Sequence, residues 1–245
     1  MTARILGATI GRILRQLRHD PRTIALMLLV PVLLMTLLYF MFDGRQPMVS
    51  GLLLIMLGIF PFVIMFLVTS IAMLRERQSG TLERLMTTPA GKLDLLFGYG
   101  ISFGIAAALQ AVIAAGFGYL ALSLDTAGPP LLVIGIAVLN AVLGVGIGLL
   151  CSAFARTEFQ AVQLLPVIVI PQLLLCGLFV PREAMTGWLQ AISDVLPLSY
   201  AVHGLQEVGA HSAPSGLLWR DLGVVAGCVI LALTLAAATL PRRTE

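Results

Sequence analysis

The stretch MVSGLLLIMLGIFPFVIMFLVTSIAML, residues 48–74, holds no Asp, Glu, Lys or Arg. A bilayer core about 30 Å thick needs roughly 20 apolar residues in a helix, so this run reads as a membrane crossing. Working outward from it, further uncharged stretches fall at 24–42, 95–124, 131–154, 159–180 and 222–240. Each is long enough to cross. The expectation is an all-α integral membrane protein: six transmembrane helices in one domain over residues 1–245. Composition agrees, with 59% hydrophobic and 11% charged residues and a mean hydropathy of +1.01. Soluble domains hold about 45–50% apolar and 25% charged residues, so a soluble globular domain, a disordered chain and a DNA-binding domain are excluded. No internal repeat or low-complexity tract divides the chain.

The formal net charge is +3, but where Lys and Arg fall says more than their sum. Arg4, Arg12, Arg15, Arg18 and Arg22 precede the first span, and Arg75, Arg77, Arg84 and Lys92 follow the second. Arg156 follows the fourth, Arg242 and Arg243 the sixth. The alternate loops hold only Arg45, Arg182 and Arg220. Twelve against three predicts that both termini are cytoplasmic. The first apolar run begins at Ile24, after five arginines, and no small-residue cleavage pattern follows at 43–50, so a cleavable signal peptide is not expected.

Three cysteines, Cys151, Cys176 and Cys228, sit inside apolar runs with no Cys-x-x-Cys pair. They read as small buried hydrophobes, not as a disulfide framework or metal cluster. Gly100-x-x-x-Gly104 and Gly144-x-x-x-Gly148 have the small-residue spacing that lets helices approach closely. Packing within the chain is favoured over a dimer seam. Polar residues inside spans mark candidate pathway positions. Gln160, Gln163 and Gln172, with Pro166 and Pro171, make the fifth span a poor simple strut and the candidate lining of a transport route. Asn140 and Gln110 read as interhelical hydrogen-bonding groups, and Thr69 and Ser70 close the second span. No span carries an acidic residue near its middle, which disfavours a proton-driven antiporter.

Three segments lie outside the spans. In residues 1–22, Leu6, Ile10, Ile13, Leu14 and Leu17 recur at helical spacing with Arg12, Arg15 and Arg18 between them, up to Asp20-Pro21. That pattern predicts a basic amphipathic helix in the cytoplasmic interface. In the loop 75–94, Ser79 or Gly80 can start a short helix that Pro89 ends. Leu82, Leu85 and Met86 then share one face, and a two-turn helix needs a partner to be stable. The third segment, 181–221, is external by the charge rule yet too apolar for a solvated loop. Met185, Trp188, Leu189 and Ile192 form one helical face, Pro197 breaks it, and Tyr200, Leu205 and Val208 continue a second element. It reads as a re-entrant helical hairpin before the last span.

Together these features resemble the membrane permeases of the type 2 ABC transporter family, exporters typified by drug, nodulation-factor and polysaccharide permeases. The resemblance covers the whole chain. Arg75-Glu76 followed by Gly80-Thr81-Leu82-Glu83, with Arg84, Leu85 and Met86 beyond, looks like the family's loop that touches the ATPase. Phe179-Val180-Pro181, Trp188-Leu189 and Leu196-Pro197-Leu198-Ser199-Tyr200 look like its external signature, Val180 standing where the family often has a second aromatic or a small residue. The resemblance implies a transport subunit in a bacterial cell membrane. It also implies ATP and Mg bound on two copies of a separate ATP-binding chain, a second permease copy or paralogue, contact with membrane lipids, and no nucleic acid. The chain's own residues agree on one point. Its single lysine, in Ala90-Gly91-Lys92-Leu93, lacks the following hydroxyl residue and the earlier glycine of a phosphate-cradling loop.

The function expected is therefore export of an amphiphilic drug, lipid or lipid-linked molecule, driven by a separate ATPase. Aromatic residues make up only 7% of the chain, which favours small amphiphiles over the polysaccharides or glycolipids exported by other members. An intramembrane hydrolase built on His203 with Glu207, or His211 beside Ser212, is the enzymatic alternative. It lacks a second zinc-binding histidine and a third ligand, and no catalytic or metal residue is expected.

Overall fold

The computed structural model describes residues 3–42, 48–79 and 92–239. All regular structure among them is helical: α1 (Ala3–Arg18), α2 (Pro21–Met41), α3 (Met48–Gln78), α4 (Lys92–Ala121), α5 (Pro130–Cys151), α6 (Glu158–Leu175), a 3-10 turn (Arg182–Ala184), α7 (Gly187–Ser193), α8 (Pro197–Ala210) and α9 (Gly216–Ala238). Six of these, α2, α3, α4, α5, α6 and α9, are long and apolar enough to cross a membrane. That is the number hydropathy predicts.

Local chemistry sets the helix ends. Asp20 caps α2, accepting hydrogen bonds from the Thr23 amide at 3.2 Å and its hydroxyl at 2.6 Å, and Pro21 occupies the first helical position. These bonds hold the Asp20 carboxyl below its ordinary pKa. Ser215 caps α9 in the same way through the Leu218 amide at 3.2 Å. The last helix therefore begins at Gly216, ahead of the uncharged run at 222–240, and draws Arg220 and Asp221 into its first turns. α6 stops at Leu175, short of residue 180, because the chain turns at Gly177, whose φ of +98° suits glycine. Beyond α4, Leu122 and Leu124 stay buried in a turn closed by the Leu124 amide on the Gly118 carbonyl at 3.0 Å. The apolar run therefore outlasts the helix.

α3 and α5 form the centre. Asn140, Gly144 and Gly148 make one stripe of α5 at a spacing of four, facing Gly58, Phe62 and Phe66 of α3 at the same spacing. Asn140 donates from Nδ2 to the Gly58 carbonyl at 2.5 Å. A Cβ on Gly148 would lie 2.6 Å from the Phe66 carbonyl oxygen, and one on Gly144 would strike the Phe62 carbonyl. The small-residue spacing is thus used within the chain, to bring two backbones together. Around this seam α4 and α9 pack on α5, while α2 and α6 lie outermost. α2 turns Leu29, Leu33, Leu37 and Phe40 outward, the surface lipid would cover.

Two shorter helices complete the bundle at opposite ends. α8 is tucked against α3, α5 and α9, burying Leu198, Val202, Leu205 and Val208. α1 packs mainly on α4, with Thr9 seated where a Cβ on Gly98 would stand, 2.5 Å from Thr9 Cγ2. Part of its apolar stripe therefore meets protein.

Candidate functional site

The C-terminal turns of α3, where the charged loop begins, are held by side chains from two directions. On one side Arg12 of α1 donates to Glu76 Oε1 at 3.2 Å and to the Tyr99 hydroxyl of α4 at 2.6 Å, with its guanidinium 5.9 Å from the Tyr99 ring centroid. Gln16 adds a longer bond to the same Glu76 oxygen, 3.4 Å. On the other side Arg75 grips Glu158 of α6 through two parallel bonds of 2.7 and 3.0 Å, the fork geometry of a guanidinium on a carboxylate. Gln78 donates to the Arg156 carbonyl at 2.6 Å. One helix end thus reaches α1, α4, α6 and the α5–α6 turn.

Of the loop residues singled out from sequence, Arg75 and Glu76 fall in this clasp. Gly80, Thr81, Leu82, Glu83, Arg84, Leu85 and Met86 lie outside the described residues. Beside the clasp is a cavity of about 660 Å³ between α1, α2, α3 and α4. Its walls are largely aliphatic, with Tyr99 and Phe103 stacked at 6.5 Å on one side, and Gln16, Asp20, Thr23, Arg75, Glu76 and Ser79 are its polar members.

The glutamines of α6 occupy different environments. Gln160 belongs to a helix cap: Thr157 accepts from the Gln160 amide at 3.2 Å, and the Gln160 side chain accepts from the Arg156 amide at 2.7 Å, close to a capping box. Gln172 is buried, donating to the Ile168 carbonyl at 3.1 Å and accepting from the Leu198 amide at the start of α8 at 3.4 Å. Gln163 and Pro166 lie on the exposed face of α6 beside Val162, Val167 and Ile170. In the core, Gln110 is buried with neither amide atom partnered among the described residues, unlike Asn140.

At the opposite end of the bundle, Pro181 leads into the 3-10 turn and Trp188 on α7 is 67% exposed with Leu189 partly covered. Pro197 takes the first position of α8. The Tyr200 hydroxyl donates to the Asp194 carbonyl at 2.7 Å, while Arg182 pairs with the Asp194 carboxylate and lies 5.1 Å from the Tyr200 ring centroid. Ser193 and Ser199 both donate to the Leu175 carbonyl, tying α7 and α8 to the end of α6.

His203 pairs with Asp221 of α9 at 2.5 Å, not with Glu207, which instead faces His211 at 3.4 Å. Asp221 is 1% exposed and also accepts from Arg220 at 2.9 Å. The Asp221 bond raises the His203 pKa above its ordinary 6.5. Sequence reasoning placed Asp221 in a loop and so missed this pair. It missed the Arg12–Glu76–Tyr99 cluster because its members stand 64 and 87 residues apart. The one available signal was a tyrosine early in an otherwise apolar run.

The fold is that of a helical protein with six helices long and apolar enough to cross a membrane. Residues 6–208 match the family described as ABC-2 type transporter, and the chain belongs to it. Among its relatives, the probable multidrug ABC transporter permease YbhR of Escherichia coli is 31% identical over 172 residues, 70% of this chain and 46% of that protein. The linearmycin resistance permease protein LnrN of Bacillus subtilis is 30% identical over 171 residues, 68% and 41% of the two chains. ABC transporter G family member 20 of Dictyostelium discoideum is 23% identical over 183 residues, 73% and 25%. The chain thus spans less than half the length of the relatives it matches.

Proposed function

We propose that this chain is the membrane-spanning subunit of an ATP-driven exporter that carries an amphiphilic drug, lipid or lipid-linked molecule out of the cytoplasm or inner leaflet. Two copies of a separate ATP-binding chain supply the energy, with ATP and Mg bound there. The permease works as a pair, with a second copy or a paralogue, and both termini face the cytoplasm. Relatives named for multidrug transport and linearmycin resistance support the substrate class. Polysaccharide or glycolipid export is the second reading within the family, and the low aromatic content weighs against it.

The observation that carries the coupling scheme is the double clasp on α3. Glu76 tied to Arg12, and Arg75 tied to Glu158, mean that a displacement of the following segment is passed to α1, α4 and α6 together. In this reading Leu82, Leu85 and Met86 fill an apolar groove on the ATPase, with Gly80 and Thr81 at the start of the short helix and Glu83 and Arg84 fixing its register at the groove's rim. The exposed face of α6 with Gln163 and Pro166 turns toward the pathway between two copies. Pro181, Trp188, Leu189, Pro197 and Tyr200 shape an external hairpin that closes it. The test is reconstitution with the ATP-binding subunit that copurifies with the tagged chain. Leu82→Asp or Glu83→Ala is expected to leave ATP hydrolysis in place and lower transport of a fluorescent amphiphile at least tenfold. Wild-type transport in both variants, at normal membrane levels, removes the assignment.

A further inference from the structure

The cavity between α1, α2, α3 and α4 has the volume, walls and charge of a ligand site. Drug-sized molecules occupy pockets of roughly 300–1,000 Å³, mostly apolar with a few placed polar groups, and this one measures about 660 Å³. Leu26 and Val30 of α2, Ile64 and Val68 of α3 and Phe103 of α4 line it. The polar members sit together on α1, the α1–α2 turn, the first turn of α2 and the end of α3.

Charge selects among amphiphiles. Asp20 and Glu76 line the cavity as carboxylates against one guanidinium, Arg75, whose fork is already filled by Glu158. Counting Arg12 and Glu158, the two partners of these groups, leaves the balance negative. Glu76 has a side chain only 12% exposed, and its Oε1 accepts from Arg12 and Gln16; its buried Oε2, and the buried Nε of Arg12 outside the cavity lining, have no hydrogen-bond partner among the described residues. A buried carboxylate whose charge is only partly compensated is costly, and a cationic centre beside it would offset that cost through its charge. An anionic head would meet two carboxylates and no free guanidinium fork in the lining.

We propose that this cavity binds lipophilic cations, molecules with a positively charged centre and an aromatic or branched apolar body, within a single copy of the chain. The binding stands by itself. Its role as the loading point for export rests on the transport reading above.

The test uses the purified full chain in phosphatidylcholine nanodiscs, without any ATP-binding subunit, and equilibrium dialysis against tetraphenylphosphonium and tetraphenylborate, a cation and an anion of matched size and shape. After subtraction of empty nanodiscs, saturable binding of the cation at least tenfold tighter than that of the anion is expected. Glu76→Gln should weaken cation binding about tenfold. Ala72→Phe, which fills the cavity from α3 and leaves the Arg12–Glu76 pair intact, should abolish it. Equal affinity for the two ions, or wild-type cation binding in Ala72→Phe, overturns the proposal. So does a copurified phospholipid that the cation fails to displace from wild-type protein but that Ala72→Phe lacks. Because the ATPase is absent, failed export and failed binding are separate results.

Discussion

The α3–α5 seam and the junction of α1, α3 and α4 join the same helix to its neighbours by opposite means. Along the seam, two glycines remove side chains so that backbones touch, and one amide bond from Asn140 fixes register. At the junction, long side chains bridge a gap: Arg12, Gln16, Glu76 and Tyr99 meet beside a cavity of about 660 Å³. Backbone contact has no slack, because a packed interface transmits strain and does not absorb it. Charged side chains on flexible stems can change partners at modest cost. One part of α3 is a spine, and the other is joined by contacts that can rearrange.

The largest expected effect comes from breaking the spine. Gly144→Leu should destabilise by about 3 kcal/mol or more, at the upper end of overpacking costs, because its Cβ strikes a carbonyl and not a yielding side-chain tip. Gly135 of the same helix has open space where its Cβ would be. Gly135→Ala should be neutral or stabilising by up to about 1 kcal/mol through helix propensity. Thermal unfolding of the detergent-solubilised protein, read by loss of the monodisperse peak, compares the two. Equal melting of Gly144→Leu and wild type would dissolve the distinction.

Next comes the junction. Glu76→Ala strips Arg12 of its carboxylate while leaving Tyr99, and should cost about 1–2 kcal/mol, within the range for leaving a part-buried donor unpaired. Glu76→Gln keeps an acceptor and should cost less in the same melt. A loss as large as that of Gly144→Leu would show that the junction is as rigid as the seam.

A smaller and pH-dependent effect belongs to the opposite end. His203 gains its charge-favouring shift from Asp221, aided by Glu207 and opposed by burial and by Arg182, with Arg220 also on Asp221. Its folded pKa is raised, so the stabilisation is complete below the unfolded value near 6.5 and is lost as pH rises through the folded value. Melting points of wild type should fall between pH 6 and pH 8.5, and His203→Ala should flatten that slope. The smallest loss of stability is expected from Arg75→Ala. The Arg75 and Glu158 side chains are 59% and 46% exposed, and such pairs contribute about 0.2–1 kcal/mol, less in high salt.

The six crossings are legible in sequence because lipid demands a run of apolar residues from every helix that faces it, whatever that helix packs against. Their ends are harder to read. Gly177 and Ser215 move two boundaries by turn geometry and capping, which hydropathy does not see, although Ser215-Gly216 is a capping signal in plain view. The site is legible in proportion to its locality. Arg75 and Glu76 stand out as charges at a span's end, but their partners come from 83 and 64 residues away. Gln160 and Gln172 look alike in a hydropathy profile, yet one caps a helix and the other meets the amide that opens α8. Which backbone group a glutamine reaches depends on the neighbouring element and not on its own segment.

The dependence of α1 on partners far along the chain imposes an order on biogenesis. Arg12 leaves the ribosome 87 residues before Tyr99, an interval of roughly 4–17 s at about 5–20 residues per second. Until then α1 has only its lesser contacts with α2 and with Glu76 of α3, and it can take its final place only once α4 is made. Substitutions that lengthen this wait would expose the unfinished chain to quality-control proteases before the bundle is complete.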